Sequence, residues 1–179
     1  MQDKQGEANF GYTMPMLVRP ILDSDLPAVL EVYRQSEDFL ALGPNPTASL
    51  EMIAADRELS RTEGGEFCGV FAESGTLMGI LDFVRVGYLG EPACGFLELL
   101  MIAAPYRNQG LGAEAFGWLE AELRRAGATR LRAGVQANNP GAIRFWQRMG
   151  FAITSEAEPQ ADRTVCYRLE KPLSPRGKD

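Results

Sequence analysis

Residues 107–113 read Arg-Asn-Gln-Gly-Leu-Gly-Ala, and residues 139–151 read Asn-Pro-Gly-Ala-Ile-Arg-Phe-Trp-Gln-Arg-Met-Gly-Phe. The first stretch follows the most apolar run of the chain, residues 95–103, which we predict to be a buried strand. It then opens a long helix with a clear apolar stripe. A glycine-containing turn between a strand and a helix exposes several backbone N–H groups at the positive end of the helix dipole. The first stretch therefore predicts an anion site of the kind that binds phosphate.

Two named phosphate loops fit this stretch poorly. A P-loop requires lysine followed by serine or threonine at the helix start, and Leu111-Gly-Ala has neither. A dinucleotide-binding loop requires a third small residue, which Ala115 nominally supplies. That loop should also follow the first strand of a βαβ unit and lead to an acidic residue after the next strand, and neither condition holds. Both alternatives are disfavoured.

Residues 107–113 resemble the acetyl-CoA loop of the GNAT N-acetyltransferases, whose pattern is Arg or Gln, two residues, Gly, one residue, then Gly or Ala. Residues 139–151 are similar to a later segment of the same family, Asn-x-x-Ala-Ile-x-Phe-Tyr-x-x-x-Gly-Phe, and the order and spacing of the two segments agree. The resemblance covers roughly residues 16–170. It implies an α/β fold with a mixed, mostly antiparallel central sheet flanked by helices on both faces.

The resemblance also implies a cofactor site for acetyl-CoA as co-substrate, with no metal. Ile102, Ala103 and Ala104, at the splayed end of the strand, would meet the thioester and pantetheine through their backbone. The pyrophosphate would be cradled by main-chain N–H groups of Arg107, Asn108, Gln109, Gly110, Leu111, Gly112 and Ala113. Asn139 would hydrogen-bond the pantetheine arm. From the residues alone, the glycines could instead make only a tight turn, and Asn139 could be only a helix cap.

The 179 residues contain no histidine. This absence removes Ser-His-Asp, Cys-His and histidine-based zinc chemistries, because histidine is their usual base or ligand. The three cysteines, Cys68, Cys94 and Cys166, are widely spaced in apolar stretches, and we expect reduced core thiols rather than nucleophiles. Carboxylates are therefore the first candidates for moving protons.

Glu98 interrupts the apolar strand. Strand alternation places it on one face with Phe96, Leu100 and Ile102, where an unpaired carboxylate would be costly. By resemblance it also occupies the place of the catalytic glutamate of some GNAT members. Two interpretations stay open: a general base whose pKa is raised by burial, or an ion-pair partner of Arg85 or another arginine.

The family's usual acid is a tyrosine in the second segment, and Trp146 stands in its place. Tryptophan cannot give up a proton in this chemistry. Protonation of the leaving thiolate would then fall to water, Tyr106 or Tyr167, a modest demand for a thiol whose pKa is about 8.5. Trp146 would lie beside the pantetheine or serve only as core packing.

The chain carries 18 basic and 24 acidic residues, for a formal net charge of -6. This balance disfavours a nucleic-acid partner. The charge is also polarised, with a sum of +4 over residues 105–148 and -5 over residues 36–66. We therefore hypothesise a cationic amine acceptor drawn to the acidic side, the alternative being two solvated helix faces.

The predicted element order is β-αα-βββ-α-β-α-ββ within a domain at residues 16–170, between tails at 1–15 and 171–179. The last two strands are expected at residues 151–155 and 164–169. We find neither a signal peptide nor a run long enough to span a bilayer, so we expect a cytoplasmic protein with no membrane partner.

The function predicted from these features is acetyl-CoA-dependent N-acetyl transfer, directly to the primary amine of a small molecule or peptide within a ternary complex. The alternative is a CoA-binding sensor or interaction module with weak or no catalysis, which the tryptophan at position 146 motivates. A homodimer is possible by resemblance, since dimers are common in the family.

Overall fold

The computed structural model describes residues 15–173. The helices are α1 (Leu26–Arg34), α2 (Glu37–Leu40), α3 (Leu50–Thr62), α4 (Leu111–Arg125) and α5 (Pro140–Arg148). The strands are β1 (Met16–Pro20), β2 (Glu66–Ala72), β3 (Leu77–Val84), β4 (Cys94–Ile102), β5 (Arg130–Gln136), β6 (Ala152–Ile153), β7 (Glu158–Pro159) and β8 (Val165–Pro172).

The strands form one sheet in the order β1-β2-β3-β4-β5-β8-β6, with β7 also paired to β8. Every neighbouring pair is antiparallel except β4 and β5, which are parallel. A parallel pair needs a long crossover connection, and α4 supplies it. The mixed, mostly antiparallel sheet predicted from the sequence is confirmed.

Helices cover both faces of the sheet, and each face has its own apolar core. One core joins Leu119 and Leu123 of α4 and Trp146 of α5 to the sheet. The other joins Val29 of α1 and Ile53 of α3 to the opposite face. Burial of these side chains supplies the main stabilisation of both layers. We refer below to the α4–α5 face and the α1–α3 face.

The helix ends follow their sequence signals. The Ser49 side chain caps α3 by accepting a hydrogen bond from the Met52 N–H at 3.1 Å. Helix α4 ends in two arginines, and Gly127 follows with φ of 89°, the left-handed conformation that glycine adopts readily. Ser49 therefore marks where α3 begins, and Gly127 marks where α4 ends.

The terminal strands differ from the prediction. The chain after residue 151 forms three strands instead of two, because the short β7 pairs with β8 beside β6. Strand β8 runs past the expected boundary at residue 170 to Pro172, and Leu173 is buried. The remaining parts of the two predicted tails, 1–14 and 174–179, lie outside the described residues. Across residues 15–173, no helix is long and apolar enough to cross a membrane.

Candidate active site

Strands β4 and β5 separate halfway along their length. They pair from Cys94 opposite Arg130 to Leu97 opposite Ala133, and the pairing stops there although β4 continues to Ile102. The two carboxyl-terminal halves therefore leave a gap in the middle of the sheet. This gap lies at the predicted splayed end of the strand.

Glu98 lies where the two strands begin to separate. The pairing of β3 with β4 shifts between Asp82 opposite Leu99 and Phe83 opposite Leu97, which leaves Glu98 as the extra residue of a β-bulge. A bulge resets the alternation of side chains. The prediction that Glu98 shares a face with Leu100 and Ile102 is therefore wrong, because those two side chains pack on the α4–α5 face, as Leu97 does.

The Glu98 side chain belongs to the α1–α3 face, and it is exposed at the gap. In the described part of the chain it forms neither a salt bridge nor a hydrogen bond. Arg85, its proposed ion-pair partner, is bonded instead to Glu66 and to Glu122, the latter at 2.7 Å. The predicted ion pair between Glu98 and Arg85 is therefore wrong.

The surroundings of Glu98 disfavour its charged form. Although the carboxyl group has contact with solvent, loss of hydration against the surrounding protein raises its pKa to about 7. The negative charges of Glu63, Asp82 and Asp56 contribute to this raised pKa after the loss of hydration. A carboxyl group with a pKa near neutrality can take up a proton and release it again at physiological pH.

Two of these neighbouring carboxylates are held by neutral donors. The Ser60 hydroxyl donates to Asp82 at 2.6 Å, and the Tyr33 hydroxyl donates to Asp56 at 2.7 Å. Burial raises the pKa of Asp82 to about 6 and also raises the pKa of Asp56. The rule that singled out Glu98, a carboxylate inside an apolar strand, applies equally to Asp82 in β3 and could have found it.

The loop before α4 presents free backbone donors. The Arg107 N–H donates to the Ala104 carbonyl at 3.3 Å, and the Glu114 N–H begins the helical pattern by donating to the Gly110 carbonyl at 3.0 Å. Between them, none of the six N–H groups of residues 108–113 donates to another residue that the structure describes. Asn108 and Gly110 have positive φ, 60° and 87°, which turns successive N–H groups to one side. Such an arrangement can bind an anion, and we call residues 108–113 the anion cradle.

The three residues predicted to meet the thioester differ in what they can offer. The Ala103 N–H donates to the Met78 carbonyl at 2.9 Å, and its carbonyl accepts from Tyr106 at 2.9 Å. Both backbone groups of Ala103 are therefore engaged within the protein. Backbone groups alternate along an antiparallel ladder, so the groups of Ile102 point away from β3 and into the gap. Ala104 follows, and its carbonyl accepts from Arg107.

Asn139 is a helix cap that retains a free amide nitrogen. Its side-chain oxygen accepts from the Ala142 N–H at 3.0 Å, as the N-cap of α5. The oxygen is therefore occupied, whereas the NH2 group donates to no other described residue. The cap interpretation is correct for the oxygen, and the NH2 group remains as a donor for a ligand.

Trp146 is part of the α4–α5 core. It is 8% exposed and makes edge-to-face contacts with Phe116, Phe145 and Phe151 at centroid distances of 5.6, 4.7 and 5.5 Å. The predicted core packing of Trp146 is observed, and its contact with the pantetheine stays a prediction. Tyr106 and Tyr167 are half-buried and pack against the same core.

Two of the three cysteines are buried in the fold. Cys68 and Cys94 are buried, and burial next to Glu66 and Asp82 raises the pKa of the Cys68 thiol to about 12. Such a thiol is a poor nucleophile. Among residues 15–173 no cluster of histidine, cysteine and carboxylate side chains could hold a metal ion.

A family model described as Acetyltransferase (GNAT) family matches residues 27–151, which include the gap, the cradle and α5. The chain belongs to the GNAT acetyltransferase family. Members of this family are acyltransferases. Among curated protein sequences, none matches this GNAT chain.

Solved structures agree with the family. An acetyltransferase from Thermus thermophilus is 27% identical, with a TM-score of 0.75 over 88% of this chain and 97% of that one. A Salmonella typhimurium structure solved with its cofactor acetyl-CoA is 21% identical, with a TM-score of 0.64 over 90% and 96% of the two chains. Spermidine N-acetyltransferase from Vibrio cholerae, in complex with CoA and spermine, is 12% identical, with a TM-score of 0.69 over 89% and 96%. The last two share the fold with this GNAT protein.

Proposed function

We propose that this protein is an acetyl-CoA-dependent N-acetyltransferase that passes the acetyl group directly to a primary amine in a ternary complex. The observation that carries the proposal is the position of Glu98. An unpaired carboxylate with a pKa of about 7 stands where β4 and β5 separate. It belongs to β4, the strand whose end leads into the anion cradle.

The residues that would hold acetyl-CoA fit an anionic, amide-containing molecule. The free N–H groups of residues 108–113 would bind the pyrophosphate, since a nest of such donors at a helix start favours negative charge. The Ile102 N–H in the gap and the Asn139 NH2 group would donate to the pantetheine arm. Bound acetyl-CoA supplies an acyl group that is already activated as a thioester.

Glu98 would act on the acceptor amine. Most alkyl amines are protonated at pH 7, and only the neutral amine is a nucleophile. The carboxylate would take the proton from the ammonium group, directly or through one water, and would return it to solvent. The sulfur of the leaving group would receive its proton from solvent or from Tyr106, a modest demand for a thiol with a pKa of about 8.5.

The acceptor that we propose is a cationic amine. Glu98 shares its surroundings with Glu63, Asp82 and Asp56, whose charges act on it. The side-chain donors described for Asp56 and Asp82 are the neutral hydroxyls of Tyr33 and Ser60. There is also room beside Glu98, because nothing lies within 4 Å of where a side chain of Gly134 would begin. Negative potential in a cleft raises the local concentration of cations.

The test is a screen for thiol release from acetyl-CoA with matched amines. Diamines and polyamines, neutral-tailed monoamines and amino acids would be compared at equal concentration and at low and high salt. We expect the highest kcat/KM for amines with a second positive charge, and the advantage should shrink as salt screens the site. A preference for anionic or neutral amines would contradict the cationic acceptor. CoA binding without turnover of any amine would replace the enzyme proposal by the binding module.

A further inference from the structure

The side chain of Arg107 joins the cofactor loop to the corner between α1 and α2. Its Nε donates to the Ile102 carbonyl at 2.7 Å, and its Nη1 donates to the Asp38 carboxylate at 2.7 Å. Its Nη2 donates to the Gln35 carbonyl at 3.1 Å and to the Ser36 hydroxyl at 3.0 Å. Four of the five N–H donors of the guanidinium are thus engaged with protein groups. This side chain is committed to the fold and is not free to serve as a phosphate ligand.

The contacts of the Arg107 guanidinium can couple movements of the end of β4 to movements of the corner between α1 and α2. Ser36 is fully buried, and the Arg107 guanidinium holds the pKa of Asp38 below its ordinary value through their hydrogen bond. The Ile102 carbonyl faces the gap between β4 and β5. A planar guanidinium fixes several acceptors in one geometry, which lysine cannot reproduce. The Arg107 side chain therefore fixes the end of β4 relative to the corner between α1 and α2.

The second motif holds the other end of the same segment. The Asn138 side chain, directly before Asn139, donates to the Leu42 carbonyl at 3.1 Å. Between the two anchors, the Glu37 carboxylate accepts from the Ala48 N–H at 2.9 Å and ties α2 to the chain that leads into α3. We call residues 35–42 the cover segment. Both loops that would bind CoA therefore contact the cover segment, one at each end.

From this arrangement we propose that Arg107 is a positioning residue that couples CoA binding to the cover segment, and thereby to acceptor affinity. The effect on acceptor affinity rests on the proposed function, whereas the coupling of CoA binding to the cover segment does not. A ligand that orders residues 108–113 also orders Arg107, and through it the cover segment beside the acidic side of the gap. Sites coupled in this way typically alter each other's affinity by about 5- to 150-fold.

The first experiment measures binding without turnover. CoA affinity would be measured by calorimetry, and amide hydrogen exchange of residues 35–42 would be followed with and without CoA, in wild type, Arg107→Gln and Asp38→Asn. We expect CoA to slow exchange in the wild type by about fivefold or more. Both variants should lose most of this protection while their CoA Kd stays within about threefold of wild type.

Arg57→Gln is the matched control. Arg57 forms a comparable ion pair between separate elements, with Asp23 at 3.1 Å, but it touches neither loop. Its removal should leave the CoA-dependent protection intact. A CoA Kd weakened about tenfold or more by Arg107→Gln, with Asp38→Asn unchanged, would make Arg107 a phosphate ligand and overturn the inference.

The second experiment uses the best amine from the screen described above. Arg107→Gln and Asp38→Asn should each raise the KM for the amine about fivefold or more, with a smaller change in kcat, and the double variant should be no worse than either single one. Additive losses would overturn the coupling. If wild type binds CoA and protects the cover segment but acetylates no amine, the proposed function fails and the coupling stands.

Discussion

Glu98 and Glu122 belong to opposite faces of one sheet, and their carboxylates are in opposite electrostatic states. Burial alone would raise the pKa of Glu122, but hydrogen bonds from Arg85 and Arg125 outweigh it and hold that pKa below its ordinary value. Glu98 has no such cation, and its pKa is raised to about 7. The comparison shows that a glutamate near this sheet is held in its charged form where arginines donate to it, and is available for proton transfer where none does.

The same contrast extends to the neighbours of each glutamate. On the α1–α3 face, Asp56 and Asp82 are bonded to hydroxyls and stay destabilised in their charged form. Elsewhere arginines and acids are paired: Arg124 with Glu120 and Arg125 with Glu122 on α4, and Arg130 and Arg132 of β5 with Glu91. The positive sum of residues 105–148 is therefore partly neutralised locally, whereas Asp56 and Asp82 have no cationic partner among the described residues.

The largest expected effect separates the two glutamates by activity. Glu98→Gln removes the base and should lower kcat by about 10²- to 10⁴-fold, since that is what a positioned general base contributes. CoA affinity and the melting temperature at pH 6 should change little. The rising limb of kcat with pH, expected near pH 7 in wild type, should disappear in the variant.

Glu73→Gln, at an exposed position in the β2–β3 turn, is the control for loss of one carboxylate. It should retain wild-type turnover and the wild-type pH profile. Wild-type turnover in Glu98→Gln would assign the proton transfer to another group.

A smaller effect concerns stability on the α1–α3 face. The pKa of Asp82 in the folded protein, about 6, lies above its ordinary value of 3.8, so the native state holds the proton more tightly than the unfolded state. The resulting stabilisation is complete below about pH 3.8 and is lost as the pH rises through about 6. Asp82→Asn mimics the protonated form, and should exceed wild type at pH 8 by up to about 3 kcal/mol in unfolding free energy.

The advantage of Asp82→Asn should vanish near pH 4, where both proteins are uncharged at this position. Urea unfolding at several pH values measures the difference. Parallel stability curves for variant and wild type between pH 4 and pH 8 would show that Asp82 is charged in the native protein without cost.

Glu122→Gln tests the other face and should act in the opposite sense. It removes the acceptor of hydrogen bonds from Arg85 and Arg125, so the free energy of unfolding should fall by about 1–2 kcal/mol at pH 7. The loss should shrink as the pH falls and the carboxylate becomes protonated. Turnover at a temperature well below the melting point should match wild type, and a selective loss of kcat would contradict the structural role.

The smallest expected effect lies at the anion cradle. Gly110 has φ of 87°, so Gly110→Ala places a side chain in a strained conformation and should cost about 1 kcal/mol of stability. Because the strain shifts the cradle, CoA Kd should rise as well. Gly117→Ala is the matched control, since Gly117 lies within α4 with nothing within 4 Å of the added carbon, and should stabilise by about 0.5–1 kcal/mol. Unchanged CoA affinity in Gly110→Ala would show that the anion cradle does not contribute to CoA binding.

Much of this architecture could be predicted because it rests on local chemistry. Pro140 after Asn139 marks the start of α5, and Gly127 marks the end of α4, because caps depend on a few neighbouring residues. The apolar stretch at residues 95–103 could be recognised as a strand by its composition. The short β7 could not, since a two-residue strand exists only through its pairing with β8.

The residues of the candidate site could be predicted from the sequence, but the contacts between them could not. Strand periodicity placed Glu98 on the wrong face, because a bulge depends on the register with β3 and leaves no trace in the apolar pattern. The partner of Arg85 was also missed, since many carboxylates are available to it and only packing selects Glu66 and Glu122. Neither the sequence around Arg107 nor the sequence around Ser36 and Asp38 indicates that these side chains contact each other.

The sequence by itself determined the family, the order of the main elements and the loop whose backbone forms the anion cradle. Each of these depends on residues close together in the chain, where the conformations open to Gly110 or Pro140 are restricted by their own covalent structure. The tertiary structure alone decided which carboxylate remains without a cation and which residues join the cofactor loop to the cover segment. Charges interact through space, so the pKa of Glu98 is set by Glu63, Asp82 and Asp56, which meet it only after α3, β3 and β4 have packed together.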